Sequence, residues 1–174
     1  MKVLMVLVLH NSTDHGDKGN GSWLERFAMP YYVFKDAGAE ITVASPLGGR
    51  LPLGPETDAA DSQTGAMRRF NADILGRNLL AHSVKLDSVW SETFDAVFYP
   101  GGHGPLWDLA EDADSIKLVE KLGARLGRKP WHLRQGTNWQ AHVMTDDNLM
   151  TGQNLAASEP AAREMPRQLE VLNA

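Results

Sequence analysis

The chain has 174 residues, 43% of them hydrophobic and 22% charged, with a formal net charge of −5. That length suits one domain with a sizeable core, and the acidic balance, with no Lys/Arg cluster against it, excludes a nucleic-acid footprint. Cysteine is absent, which rules out disulfides, thiolate metal sites and thiol nucleophiles together.

Residues 2–9 are almost all Val, Leu and Met. A first strand with no polar face suits the centre of a parallel sheet. It is too short for a signal's apolar region with a cleavage site, and no run reaches the length of a membrane span, so a soluble cytoplasmic protein is expected. Residues 10–22 are polar and glycine-rich, a long loop of the sort that often carries function. A helix should begin near Ser22, whose spacing to Glu25 is that of a capping box. Its face of Trp23, Phe27, Tyr31 and Phe34 points to core or dimer interface. Pro30 falls inside it, and Gly38 closes it.

Residues 40–45 read as the second strand and 46–61 as a loop. A helical region over 62–81 turns Met67, Phe70, Ile74 and Leu75 inward, and 84–90 is irregular or briefly extended. The apolar run 96–99 stops at Pro100 and Gly101, as a buried parallel strand would. Residues 112–126 form an amphipathic helix with Ile116, Val119, Leu122 and Leu126 on its stripe. Two short strands, 141–145 and 148–151, meet at Asp146 and Asp147, and a helix-like tail follows over 158–172, restricted by Pro160 and Pro166. Alternating strands and helices give a single doubly wound α/β domain over 1–174, with a mainly parallel sheet.

The segment Gly101-Gly102-His103-Gly104 follows the third long strand, and open α/β sheets place ligand crevices at such carboxyl ends. Paired glycines let backbone amides approach a ligand. It lacks the spacing of a dinucleotide fingerprint, so a Rossmann cofactor is not expected. His103 is either a turn residue or a functional one; Glu25 is either a helix cap or a general base. His10 and His15 follow the first strand and could approach the same crevice, whereas His142 is a weaker candidate and His82 and His132 carry no site argument. His10, His103 and Glu25 have the two-histidine, one-carboxylate make-up that suits Zn²⁺ or Fe²⁺. Asp14 and Asp17 offer oxygen ligands for Ca²⁺, but Gly16 stands where an EF-hand needs one, so a solvated acidic loop is the competing reading.

Several segments, in order, resemble the DJ-1/PfpI superfamily, in particular its Hsp31-like branch of class I glutamine amidotransferase-like proteins. They are the apolar first strand, Gly21-Ser-Trp-Leu-Glu-Arg-Phe-Ala-Met-Pro-Tyr-Tyr-Val-Phe34, Ala44-Ser-Pro-Leu-Gly-Gly49, Tyr99-Pro-Gly-Gly-His-Gly-Pro-Leu-Trp-Asp108 and Leu149-Met-Thr-Gly-Gln-Asn154. The resemblance implies a flavodoxin-like sheet, a homodimer and action on small reactive carbonyl compounds, often with chaperone-like behaviour. Glu25 matches the family's glutamate, and Gly101 and Gly102 match its oxyanion segment. The family's nucleophilic cysteine and adjacent histidine have no counterpart. After about residue 130 the chain passes directly to Trp131-His-Leu-Arg-Gln-Gly-Thr-Asn-Trp139, as though a core strand and its helix were missing. No serine occupies a nucleophile-elbow motif instead.

Two functions remain. One is a hydrolase or hydratase acting on an ester, lactone or aldehyde carbonyl, with Glu25 activating water, helped by His103 or a metal such as Ca²⁺ or Zn²⁺. Gly101, Gly102 and His10 would then bind substrate or oxyanion. The other is a non-catalytic, chaperone-like or ligand-binding protein. In both, cysteine-dependent glyoxalase or deglycase chemistry is not expected.

Overall fold

The computed structural model describes residues 1–7, 23–51, 64–90, 93–100, 109, 111–125, 140–146, 149–152 and 155–172. The first strand, β1 (Lys2–Val6), is the axis of the sheet. Its side chains alternate between two cores: Val3, Met5 and, just beyond, Leu7 enter one, while Leu4 and Val6 enter the other. This two-sided burial is why the strand has no polar face.

Helix α1 (Trp23–Asp36) follows, then β2 (Glu40–Ser45), which runs parallel to β1 from Lys2↔Glu40 to Val6↔Ala44. The turn between them closes at Gly38, whose φ of 76° is one that side-chain-bearing residues rarely adopt. Next come α2 (Gly65–Ala72), α3 (Ile74–Ala81) and the short β3 (Val84–Lys85). A 3-10 turn (Leu86–Val89) leads to β4 (Ala96–Phe98), parallel to β1 from Val3↔Ala96 to Met5↔Phe98. The sheet order is β3-β2-β1-β4, a flavodoxin-like α/β arrangement as expected. Among the described residues, β4 is paired on one side only.

Helix α4 (Ala113–Arg125) precedes a separate antiparallel pair, β5 (Val143–Asp146) and β6 (Leu149–Gly152), and α5 (Ser158–Leu172) ends the described chain. None of the described helices is long and apolar enough to cross a membrane.

Helix α1 packs on α5 and α2 and carries an aromatic face into the larger core. Phe27 stacks on Tyr31 at 5.2 Å between ring centroids, both meet Phe70 edge-on, and Phe34 meets Phe98 of β4. The aromatic stripe is therefore core; the Trp23 side chain and Ser22 lie outside the described residues.

Two inward faces differ from the sequence reading. Met67 and Phe70 are buried as expected, but Ile74 and Leu75 are 72% and 70% exposed. Asp73 interrupts the helical region: its carboxylate accepts from the Leu75 and Gly76 amides, both at 3.1 Å, and so caps a new helix with a different phase. Gly76 and Leu80 then face inward instead. In α4, Asp112 caps the start by accepting from the Ser115 amide at 2.7 Å. Ser115 and Leu118 are buried, while Ile116 and Val119 are 43% and 40% exposed, so the helix is rotated away from the stripe expected for it. The side chain of Leu122 and all of Leu126 lie outside the described residues.

Candidate functional site

In this sheet β2 lies on one side of β1 and β4 on the other. The chain therefore reverses its winding direction between β1 and β4, and an open α/β sheet has its crevice at the carboxyl ends of such a strand pair. Three segments meet this edge by topology. The chain leaves β1 at Leu7, leaves β4 through Tyr99 and Pro100, and enters α1 at Trp23 on its return from β1.

Glu25 lies in the first turn of α1. Leu24, Phe27 and Ala28 on either side of it are buried and fix the helix against the sheet, whereas Glu25 is only half-buried. A held, partly accessible carboxylate at the crevice edge can take a proton from water.

Tyr99, given no role in the sequence beyond its place in an apolar run and in a family-like segment, is a further polar group at this edge. Its hydroxyl is buried on the α4 side of the sheet and, among the described residues, has no partner in strict hydrogen-bonding geometry. Burial, joined by the negative charge of Asp112, pushes the phenol up, and the nearby Ser115 side chain opposes that shift without reversing it. It is a neutral donor, held at the end of β4. A tyrosine closing a buried strand is the only sequence signal that could have pointed to it.

Of the residues expected to build the site, only Glu25 falls in the described structure. His10, Asp14, Asp17, Gly101, Gly102 and His103 lie outside the described residues, as does His15. Among the described residues, no three His, Asp or Glu side chains cluster as a metal site would require.

No family sequence model and no curated protein matches the chain. Solved structures do. The Rapid Encystment Protein 24 kDa of Francisella tularensis is 22% identical with a TM-score of 0.78, over 97% of this chain and 98% of its own. Glyoxalase III of Candida albicans is 17% identical with a TM-score of 0.78, over 96% of both chains. Drosophila melanogaster DJ-1beta is 17% identical with a TM-score of 0.60, over 98% of this chain and 94% of its own. The fold is that of the DJ-1/PfpI proteins.

Proposed function

We propose, with the DJ-1/PfpI fold as premise, that this chain is a small-molecule hydrolase or hydratase acting on an ester, lactone or aldehyde carbonyl without a cysteine nucleophile. The observation that carries the reading is the position of Glu25: a half-buried carboxylate in the first helical turn, at the carboxyl edge of the sheet beside the β1–β4 switch point. Similarity to a glyoxalase III supports a small carbonyl compound as the substrate class.

In this mechanism Glu25 takes a proton from water as the oxygen attacks the carbonyl carbon, and the carbonyl π electrons move to oxygen. With an aldehyde, the oxyanion is then protonated to give the hydrate. With an ester or lactone, the tetrahedral intermediate collapses, the C–O bond to the leaving alkoxide breaks, and that alkoxide receives the proton. The backbone amides of Gly101, Gly102 and His103 are assigned to the oxyanion, a contribution of about 3 kcal/mol per donor in comparable sites. His10 is assigned to substrate contact and His103 to proton transfer. A divalent metal held with Asp14 and Asp17, or with the histidines, is a further element of this proposal.

An internal shortening of the family fold is part of the same reading. The Francisella protein is a 24 kDa chain by name and this one is 19.1 kDa, yet the two match nearly end to end. The one-sided pairing of β4 among the described residues fits the loss of a neighbouring strand. A homodimer covering the apolar face of α4 belongs with it.

A second reading, a chaperone-like or ligand-binding protein without turnover, is favoured by the exposure of Ile74, Leu75, Ile116 and Val119 together with the absence of any thiol. Assays of aryl esters, lactones and glyoxal, with and without EDTA, separate the two. The enzyme reading expects turnover that falls in Glu25→Gln and His103→Ala. Turnover of none of these substrates would leave the second reading standing, and turnover unchanged in both variants would show the site to be elsewhere.

A further inference from the structure

A cleft of about 510 Å³ lies between the turn after β2 and one flank of α3, away from the β1–β4 edge. Arg50, Arg77 and His82 line it together with Asn78, over an apolar floor that includes Leu51 and Leu80. Three basic groups share one concavity in a chain whose net charge is −5. Neither arginine makes a side-chain hydrogen bond or ion pair with another described residue. This sets them apart from Arg69, which is held bidentately by Asp36 at 2.7 Å, and from Arg163, held by Glu159. Asp73, the acid that opens α3, is committed to Lys35 at 2.6 Å and to the amides of Leu75 and Gly76.

His82 is fixed in a definite way. Its Nδ1 lies 3.1 Å from the Asn78 carbonyl, which can only accept, so Nδ1 carries the proton and donates. In the neutral ring Nε2 is then left as an acceptor. Two guanidinium forks suit the oxygens of a phosphate bidentately, and an acceptor nitrogen suits the hydroxyl of a singly protonated one. Ile74 also lines the cleft and is 72% exposed, which offers an apolar surface to the body of a ligand.

We infer that this cleft is a binding site for a phosphate monoester with an apolar body, its phosphate held by Arg50, Arg77 and His82 and its body against Ile74. The site is independent of the carbonyl chemistry assigned to Glu25.

Phenyl phosphate, inorganic phosphate and phenol, titrated into the full chain, test it, with backbone amide NMR shifts and isothermal titration as the two readouts. Phenyl phosphate should bind saturably with Kd near the millimolar range, tighter than inorganic phosphate, and shift the amides of Arg50, Ala81 and His82. Arg50→Ala and Arg77→Ala should each weaken it about tenfold, a loss expected of one charge-assisted fork. Ile74→Ser should remove the advantage of phenyl phosphate over inorganic phosphate while leaving inorganic phosphate binding unchanged. All three side chains are exposed, so circular dichroism should show these variants folded. Phenol binding as well as phenyl phosphate, no saturable shift at tens of millimolar, or affinity unchanged in the Arg50→Ala, Arg77→Ala double variant would each overturn the assignment.

Discussion

The two faces of the sheet are covered to different depths. On one, α1, α2 and α5 close over Val3, Met5 and Leu7 with an interlocked aromatic cluster, and ion pairs tie the helices together at the rim. On the other, α4 and the turn at Leu86–Val89 cover Leu4, Val6 and Ala44 mainly with aliphatic side chains, and α4 leaves Ile116 and Val119 half in solvent. The first face is the scaffold that fixes Glu25. The second adjoins β4, which among the described residues is paired on one side only. The contrast places the denser aromatic packing on one side of the sheet and the partly exposed helix α4 on the other.

Substitutions should separate the two faces sharply. The largest effect is expected for Phe27→Ala, which removes a ring that touches both Tyr31 and Phe70 in a fully buried place. A loss of about 3–5 kcal/mol in urea unfolding is expected. Gly48→Ala should come next, at about 2 kcal/mol. Gly48 has φ 68°, and a Cβ there would lie 2.9 Å from the Lys85 backbone nitrogen, so the strain meets main chain that cannot move aside.

Asp73→Ala should cost about 1 kcal/mol from the lost cap of α3 alone. It should also change the acid limb of the stability curve. Burial by itself would raise the Asp73 carboxyl, but hydrogen bonds from Lys35, the Gly76 amide and Tyr32 outweigh it and hold the group below the usual carboxylate range. The unfolded chain therefore binds the proton more readily. The contribution is complete above the unfolded value of about 3.9 and is lost as pH falls through the lower folded value. Unfolding followed from pH 6 to pH 2 should show a steeper loss in the parent than in Asp73→Ala.

The smallest effect should fall on the other face. Ile116→Ser and Val119→Ser should change monomer stability by no more than about 0.5 kcal/mol, since both side chains are already partly in water. A shift of sedimentation toward the monomer in these variants would show that a second copy covers α4.

Much of this architecture was legible in the residues. The two-sided burial of β1 follows from a run with no polar position, and the aromatic face of α1 from helical spacing. β2, the hairpin of β5 and β6, and α5 fall where turn residues and periodicity placed them. The errors share one cause. Periodicity runs through Asp73 as one residue of a continuous helix, but its carboxylate starts a new one and turns Ile74 and Leu75 outward. In α4 hydrophobicity alone gives the wrong phase, because the structure buries Ser115 near Tyr99 and releases Ile116. Of the candidate site, the place of Glu25 in the first turn of a helix was legible from the capping spacing. Tyr99 was not, because whether a phenol is buried depends on which helix packs over it.

The central claim is that Glu25 replaces a thiol as the group that starts the reaction, and steady-state kinetics of the parent and of Glu25→Gln on an aryl ester or glyoxal test it most directly. Removing a general base while keeping the side chain's size should lower kcat/KM by about a hundredfold or more, with unfolding unchanged. Equal kcat/KM in the two proteins would contradict the claim.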